Sequence, residues 1–302
     1  MEKIVSLLLL VLTFVSCSDK RSAETNTPTV EKSADIGAKV DSAMKNSPYR
    51  NSGKFFEIRG FKMYVETYGK GDPILMLHGN GGDINNFVFQ IGYFSKDHLV
   101  IVPESRAQGK SVDKKDSLSY EMMADDFSEL LRQMKVQKTD VIGWSDGGID
   151  ALLLAQRHPE QVEKLAITGA NLRPDATAIE PSEWKNMQKG FREIEAKVKS
   201  GKANSADSLS YKLQRLMAEN PHISTLDLLK IKAPTLVIGG DNDMIRPEHT
   251  LEIYRGLPNA ELWILPNSGH ATLWSFEADF NAKIAVFFER AFVKRKPDQR
   301  FF

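Results

Sequence analysis

Short, fully apolar stretches alternate with stretches of helical periodicity along most of this chain, and that alternation limits the fold more than any other feature. Residues 73–77 (Pro-Ile-Leu-Met-Leu), 99–102, 141–142, 165–168, 235–238 and 262–265 are apolar runs with little or no in–out alternation. Runs of this length suit strands buried on both faces, which is the pattern of a parallel sheet. Between them Met123, Phe127, Leu130, Leu131 and Met134 recur at helical spacing. Helices are also predicted over 147–157, 247–254 and 272–292, the first of them stopping before His158-Pro159 because a residue preceding proline disfavours helix. Two alternating runs near the start, 55–58 and 63–67, are split by Gly60 and read as a hairpin. The expected class is α/β, a mostly parallel sheet with helices on both faces.

The alternation breaks off between Asn171 and Leu226. Trp184, Met187, Phe191, Ile194 and Val198 step by three and four and give one apolar helical face, while Leu209, Leu213, Leu216 and Met217 mark a second helix. Residues 201–205 form a turn-rich joint between them. An all-helical insert, residues 172–226, is therefore expected inside an α/β core of residues 53–171 and 227–293. The insert's apolar face has two readings, packing onto the core or lining a pocket, and packing is the commoner use of such a face. Lys185, Lys189, Lys197, Lys199 and Lys202 read as its solvated side.

The first residues do not belong to this pattern. Glu2 and Lys3 precede an apolar run over 4–15, too short to span a bilayer and suited to the core of a secretory signal. The run ends in Ser16-Cys17, which resembles a bacterial lipoprotein signal whose cysteine is lipidated; an ordinary cleaved signal with an incidental cysteine is the other reading. The expectation is an extracytoplasmic, membrane-anchored lipoprotein, facing the periplasm or the cell surface. Residues 18–52 are rich in Ser, Thr, Asn, Lys and Glu and read as a flexible linker, with nothing requiring the short helix that 36–44 could form. Residues 294–302 read as a C-terminal tail. Cys17 is the sole cysteine, so neither an intramolecular disulfide nor a cysteine-based metal site is available.

Forty Lys plus Arg balance forty Asp plus Glu, which gives no electrostatic case for a nucleic-acid partner. The informative chemistry is local. Gly143-Trp144-Ser145-Asp146-Gly147 sits between a strand and a helix. Three fixed positions of this kind arise by chance in about a tenth of chains this long, so the context carries the argument. A tight strand-to-helix turn needs glycines on both sides and lifts the serine to a helix N-terminus.

A serine hydroxyl needs a base. Six histidines are present. His270 follows the last predicted strand, at the sheet edge where active sites of open parallel sheets collect. His78 also lies at a strand end, but within His78-Gly79-Asn80-Gly81-Gly82, a loop whose glycines suit an oxyanion-binding role, which leaves His270 as the base. His98, His158, His222 and His249 read as structural. The acid that orients the base is Asp243 or Asp241, both in the loop after residues 235–238, with Asp243 preferred because it lies deeper in that loop. Backbone N–H groups of Asp146 and Asn80, with Gly81 as a nearby substitute, are the expected oxyanion donors. Gly79, Gly81, Trp144 and Met244 beside these groups, and Trp184 and Met187 in the insert, are the candidate pocket residues. No metal cluster competes, and no cofactor is expected.

Together the loop 78–82, Pro103-Glu104-Ser105-Arg106-Ala107-Gln108-Gly109-Lys110-Ser111, the serine motif, Gly240-Asp241-Asn242-Asp243 and Ser268-Gly269-His270 resemble the α/β-hydrolase superfamily over residues 54–292. The resemblance implies an eight-stranded, mostly parallel sheet with a helical cap after strand six, and the chain order serine, aspartate, histidine. It also implies an acyl transfer to water on a small ester-like substrate. Carbon–carbon bond hydrolysis or perhydrolysis on the same triad, and a non-catalytic surface lipoprotein that keeps the fold, are the alternatives. Glutamate at 104 replaces the aspartate usual there, a position that is commonly structural in the superfamily.

Overall fold

The computed structural model describes residues 33–46, 53–115 and 117–294. The signal-like segment ending at Cys17, residues 18–32 and 47–52 of the expected linker, and the tail from residue 295 lie outside the described residues.

Eight strands form one sheet in the order β1-β2-β4-β3-β5-β6-β7-β8. The hairpin β1 (Lys54–Ile58) and β2 (Phe61–Tyr68) is antiparallel, and β2 joins β4 (Leu99–Pro103) antiparallel. From β4 onward every pairing is parallel: β3 (Pro73–Leu77), β5 (Thr139–Trp144), β6 (Val162–Thr168), β7 (Thr235–Gly240) and β8 (Ala260–Leu265). The chain has the α/β-hydrolase fold. Alternate strand residues feed two separate cores, because successive side chains leave a strand on opposite faces. Leu75, Leu77, Val141, Leu165, Ile167 and Val237 pack on one face with α3 (Tyr120–Gln133), α4 (Asp146–Arg157) and α8 (Pro247–Gly256). Ile74, Met76, Val100, Ile142, Leu236 and Ile238 pack on the other with α2 (Val88–Phe94) and α10 (Glu277–Glu289).

Helix α4 is buried from Asp146 to Ala155 without a solvent side, so its apolar residues surround the axis instead of forming a stripe. Between β6 and β7 stand α5 (Pro181–Lys199), α6 (Ser205–Glu219) and the single turn α7 (Thr225–Leu228). Phe191 of α5 stacks on Tyr211 of α6 with centroids 5.8 Å apart, so part of the α5 apolar face packs its neighbour helix. Asn204 and Asp207 close a capping box at the start of α6.

Two local expectations change. The predicted helix over 272–292 is divided at Phe276 into α9 (Thr272–Ser275) and α10, with Phe276 at φ −132° and ψ 41°. Part of the expected linker is the helix α1 (Ser33–Asn46), which lies against α2 and α9. Ile36, Val40 and Ala43 share one helical side; Val40 is buried, and Lys39 pairs with Glu277 at 2.7 Å.

Candidate active site

Every side chain singled out for chemistry follows a parallel strand at its C-terminal end: residues 78–82 after β3, Ser145 after β5, Asp243 after β7 and His270 after β8. Strands of one direction bring these ends to one edge of the sheet, which is where clefts open in such folds.

Ser145 has φ 56° and ψ −121°, a conformation that L-residues avoid. Its own N–H donates to the Thr168 carbonyl at 2.8 Å, and its carbonyl accepts from Gly148 N–H, so hydrogen bonds on both sides hold the strained turn. A Cβ on Gly147 would run into the Leu77 carbonyl, so β3 and the turn touch only because that residue is glycine. The Ser145 hydroxyl lies 2.9 Å from His270 Nε2, and His270 Nδ1 lies 2.7 Å from Asp243 Oδ1. Asp243 is buried, and Oδ1 also accepts the Ile245 N–H at 2.9 Å. Asp241, the competing acid, is exposed and turned elsewhere: Oδ1 accepts from Ser268 N–H at 3.1 Å and from Asn242 Nδ2. A serine, a base and a buried acid joined in this way can move the hydroxyl proton onto an imidazole and hold the resulting charge.

Several contacts fix the histidine. Trp144 Nε1 donates to the His270 carbonyl at 2.9 Å and packs on Trp274, centroids 4.9 Å apart. Gly169, at φ +66°, leaves room for the imidazole; a Cβ there would come within 2.6 Å of His270 Cε1.

The backbone N–H groups of Asn80 and Asp146 have no partner among the described residues. The Gly81 N–H, by contrast, is engaged, donating to Gln108 Oε1 at 2.6 Å. His78 shapes the same loop: Nδ1 donates to the Gly79 carbonyl at 2.8 Å and Nε2 accepts the Ser105 N–H at 3.0 Å. Its complete burial lowers its pKa, consistent with a neutral ring that donates on one side and accepts on the other. Asp146 is also buried; desolvation raises its carboxyl to about 6, against the pull of hydrogen bonds from Asn80 and Tyr120. Glu104 accepts the Lys110 N–H and closes the 104–111 loop, a structural placement.

A cavity above Ser145 is lined by Tyr120, Ser145, Asp146, Asn171, Ile179, Met187, Met217, Asn220, Met244, Ile245 and His270. Met187 and Met244 line it as expected from the sequence, but Gly79, Gly81, Trp144 and Trp184 do not. Trp144 ends β5, and its ring packs on Trp274 and lies 5.9 Å from that of His270. Gly79 matters by its lack of a side chain, since a Cβ would press within 3.2 Å of Ser145 Cβ. Trp184 packs beside the cavity wall on Ala178, Ile179 and Ile245. Tyr120, Asn171, Ile179, Met217, Asn220 and Ile245 were not legible as lining residues. Asn171 alone carried a usable signal, its place just beyond the C-terminal end of β6. His98, His158, His222 and His249 lie away from this cavity; His249 Nε2 accepts the Leu172 N–H at 2.9 Å.

Residues 72–194 match the family model described as the alpha/beta hydrolase fold. The chain is 26% identical over 266 residues to a pimeloyl-[acyl-carrier protein] methyl ester esterase of Nitrosospira multiformis, covering 74% of this chain and 97% of the relative. It is 24% identical over 261 residues to the 2-hydroxy-6-oxo-6-phenylhexa-2,4-dienoate hydrolase of Burkholderia cepacia, covering 74% and 90%. The crystal structure of the enol-lactonase from Burkholderia xenovorans superposes with a TM-score of 0.66 at 19% identity, over 78% of this chain and all of that one, a likeness of fold. Its sheet order, the match over residues 72–194 and these relatives mark the chain as a hydrolase with the α/β-hydrolase fold.

Proposed function

We propose that this protein is a serine hydrolase that cleaves a small or medium carboxylic ester through an acyl-enzyme intermediate. The observation that carries the reading is the continuous relay from Ser145 Oγ to His270 at 2.9 Å and on to Asp243 at 2.7 Å, seated on a strained turn. Ser145 attacks the ester carbonyl while His270 takes its proton. The tetrahedral oxyanion forms at the N–H groups of Asn80 and Asp146. His270 then returns the proton to the leaving alkoxide, and a water deacylates the serine by the same route. Asp243 keeps the Nδ1 proton of His270 in place throughout. Met187, Met217 and Met244, unbranched side chains with several rotatable bonds, line the cavity that takes the ester.

Labelling by a fluorophosphonate probe tests the nucleophile: wild type labels and Ser145→Ala does not. Folded wild-type protein that fails to label would sink the proposal. Esters of graded acyl length, run beside a vinylogous 1,5-diketone, test the bond. Turnover of the diketone alone would move the assignment to carbon–carbon hydrolysis, the reaction class of the Burkholderia cepacia relative's substrate name.

We also propose that Cys17 carries a lipid and tethers the enzyme outside the cytoplasm, on the support of the apolar run before it. Metabolic incorporation of a fatty-acid analogue into wild type and its loss in Cys17→Ala is the expected result; equal labelling of both rejects the tether.

A further inference from the structure

The two residues whose N–H groups stand open beside Ser145 come from segments 66 residues apart in sequence, and their side chains are bonded to each other. Asn80 Nδ2 donates to Asp146 Oδ2 at 2.8 Å. Among the described residues this is the one side-chain hydrogen bond between the 78–82 loop and α4. The rest of that loop is anchored elsewhere: Gly81 to Gln108, Gly82 N–H to the Gly79 carbonyl at 3.0 Å, and His78 to Ser105. Asn80 Nδ2 also reaches the Leu213 carbonyl of α6 at 3.5 Å, so the same amide meets the helices that cover the site.

A buried carboxyl is electrostatically misplaced here. Asp146 is 5% exposed and follows the nucleophile directly, so its charge opposes any negative charge that develops on a bound carbonyl. An amide or an apolar side chain would avoid that conflict. What the carboxyl does is accept the Asn80 amide. Two oxyanion donors are effective only when both point at one oxygen position, and small displacements weaken them steeply.

We infer that the side chains of Asn80 and Asp146 form a tie that sets the spacing of the two oxyanion donors, making both of them positioning residues through their side chains. The inference rests on the proposed serine hydrolase reading. It goes beyond the backbone role, because a side-chain change leaves both N–H groups in the chain and alters only where they stand.

The test is a double-mutant cycle on the full chain with 4-nitrophenyl acetate as substrate and a trifluoromethyl ketone as oxyanion-forming inhibitor. Asn80→Ala and Asp146→Ala should each lower kcat by about tenfold with KM within about twofold, and inhibitor affinity should fall in parallel. Because both remove one interaction, the double variant should lose about as much as one single, not the ~100-fold of independent sites. Asn80→Asp alone opposes two carboxyls and should lose more; adding Asp146→Asn rebuilds the bond in the reverse direction and should recover most of the loss. This exchange pair keeps two polar side chains and serves if an alanine variant fails to fold, which circular dichroism and Tm would report. Additive losses, a change in KM alone, or an exchange pair no better than Asn80→Asp each overturn the tie. Fluorophosphonate labelling separates the two levels: if wild type labels and the cycle is additive, the tie fails and the serine hydrolase reading stands. If wild type does not label, both fall.

Discussion

Ser145 pays for its position in backbone energy. A non-glycine residue held in a sparsely populated conformation stores about 1–3 kcal/mol, and φ 56° with ψ −121° is such a conformation. Ser145→Gly should therefore raise Tm while abolishing esterase turnover, whereas Ser145→Ala should abolish turnover without the same rise; thermal denaturation of the two variants side by side is the check. Gly169 carries the opposite requirement. Gly169→Ala adds a Cβ within 2.6 Å of His270 Cε1 at a positive φ, and should lower kcat by at least about tenfold through a displaced base, read in steady-state kinetics. Asp243→Asn, which favours the wrong imidazole tautomer, should reduce kcat by ~10³–10⁴ with the fold intact. Some of these residues were plain in the sequence and others were not. Ser145, His270 and the preference for Asp243 followed from strand ends and chain order. Trp144, one residue before the serine, is not among the cavity-lining residues, because nearness in the chain does not fix where a ring packs: it lies on Trp274 and beside His270.

At the level of elements, the strands were legible because those of a sheet covered on both faces are apolar throughout. Helix α2 was not, since its seven residues include Gln90 and Gly92 and show no full helical period. The break at Phe276 was invisible because neither glycine nor proline marks it. Helix α1 was left open by its polar surroundings, and its docking depends on few apolar atoms. Val40 is buried against its neighbours, so Val40→Asp should detach α1 and leave ester turnover near the wild-type level. A loss of about 1–2 kcal/mol corresponds to a Tm lower by a few degrees in a domain of this size. Limited proteolysis should then cut within residues 33–46, and an uncut α1 in a folded variant would show that Val40 does not hold it.

For the whole molecule, the pH dependence of stability is set in part far from the cavity. Asp140 lies near the N-terminal end of β5, at the edge of the sheet opposite Ser145, with Oδ1 buried and without a partner among the described residues. Burial raises its carboxyl to about 7, with Lys164 pulling the other way. A carboxyl raised on folding leaves stability intact below its unfolded pKa near 4 and removes it as pH climbs through the folded value. Asp140→Asn should therefore make little difference at pH 4 and stabilise the protein by ~1–3 kcal/mol at pH 8. Urea denaturation at the two pH values measures it, and equal midpoint shifts at both would reject the assignment. The order of the strands has one more consequence. His270 sits just past β8, the edge strand and the last to be synthesised. If Ser145 and His270 act as proposed, a nascent or truncated chain that ends before His270 has a nucleophile with no base to deprotonate it. On the proposed mechanism turnover thus acts as a certificate of completeness: the ribosome must finish the sheet before the first bond can be cut.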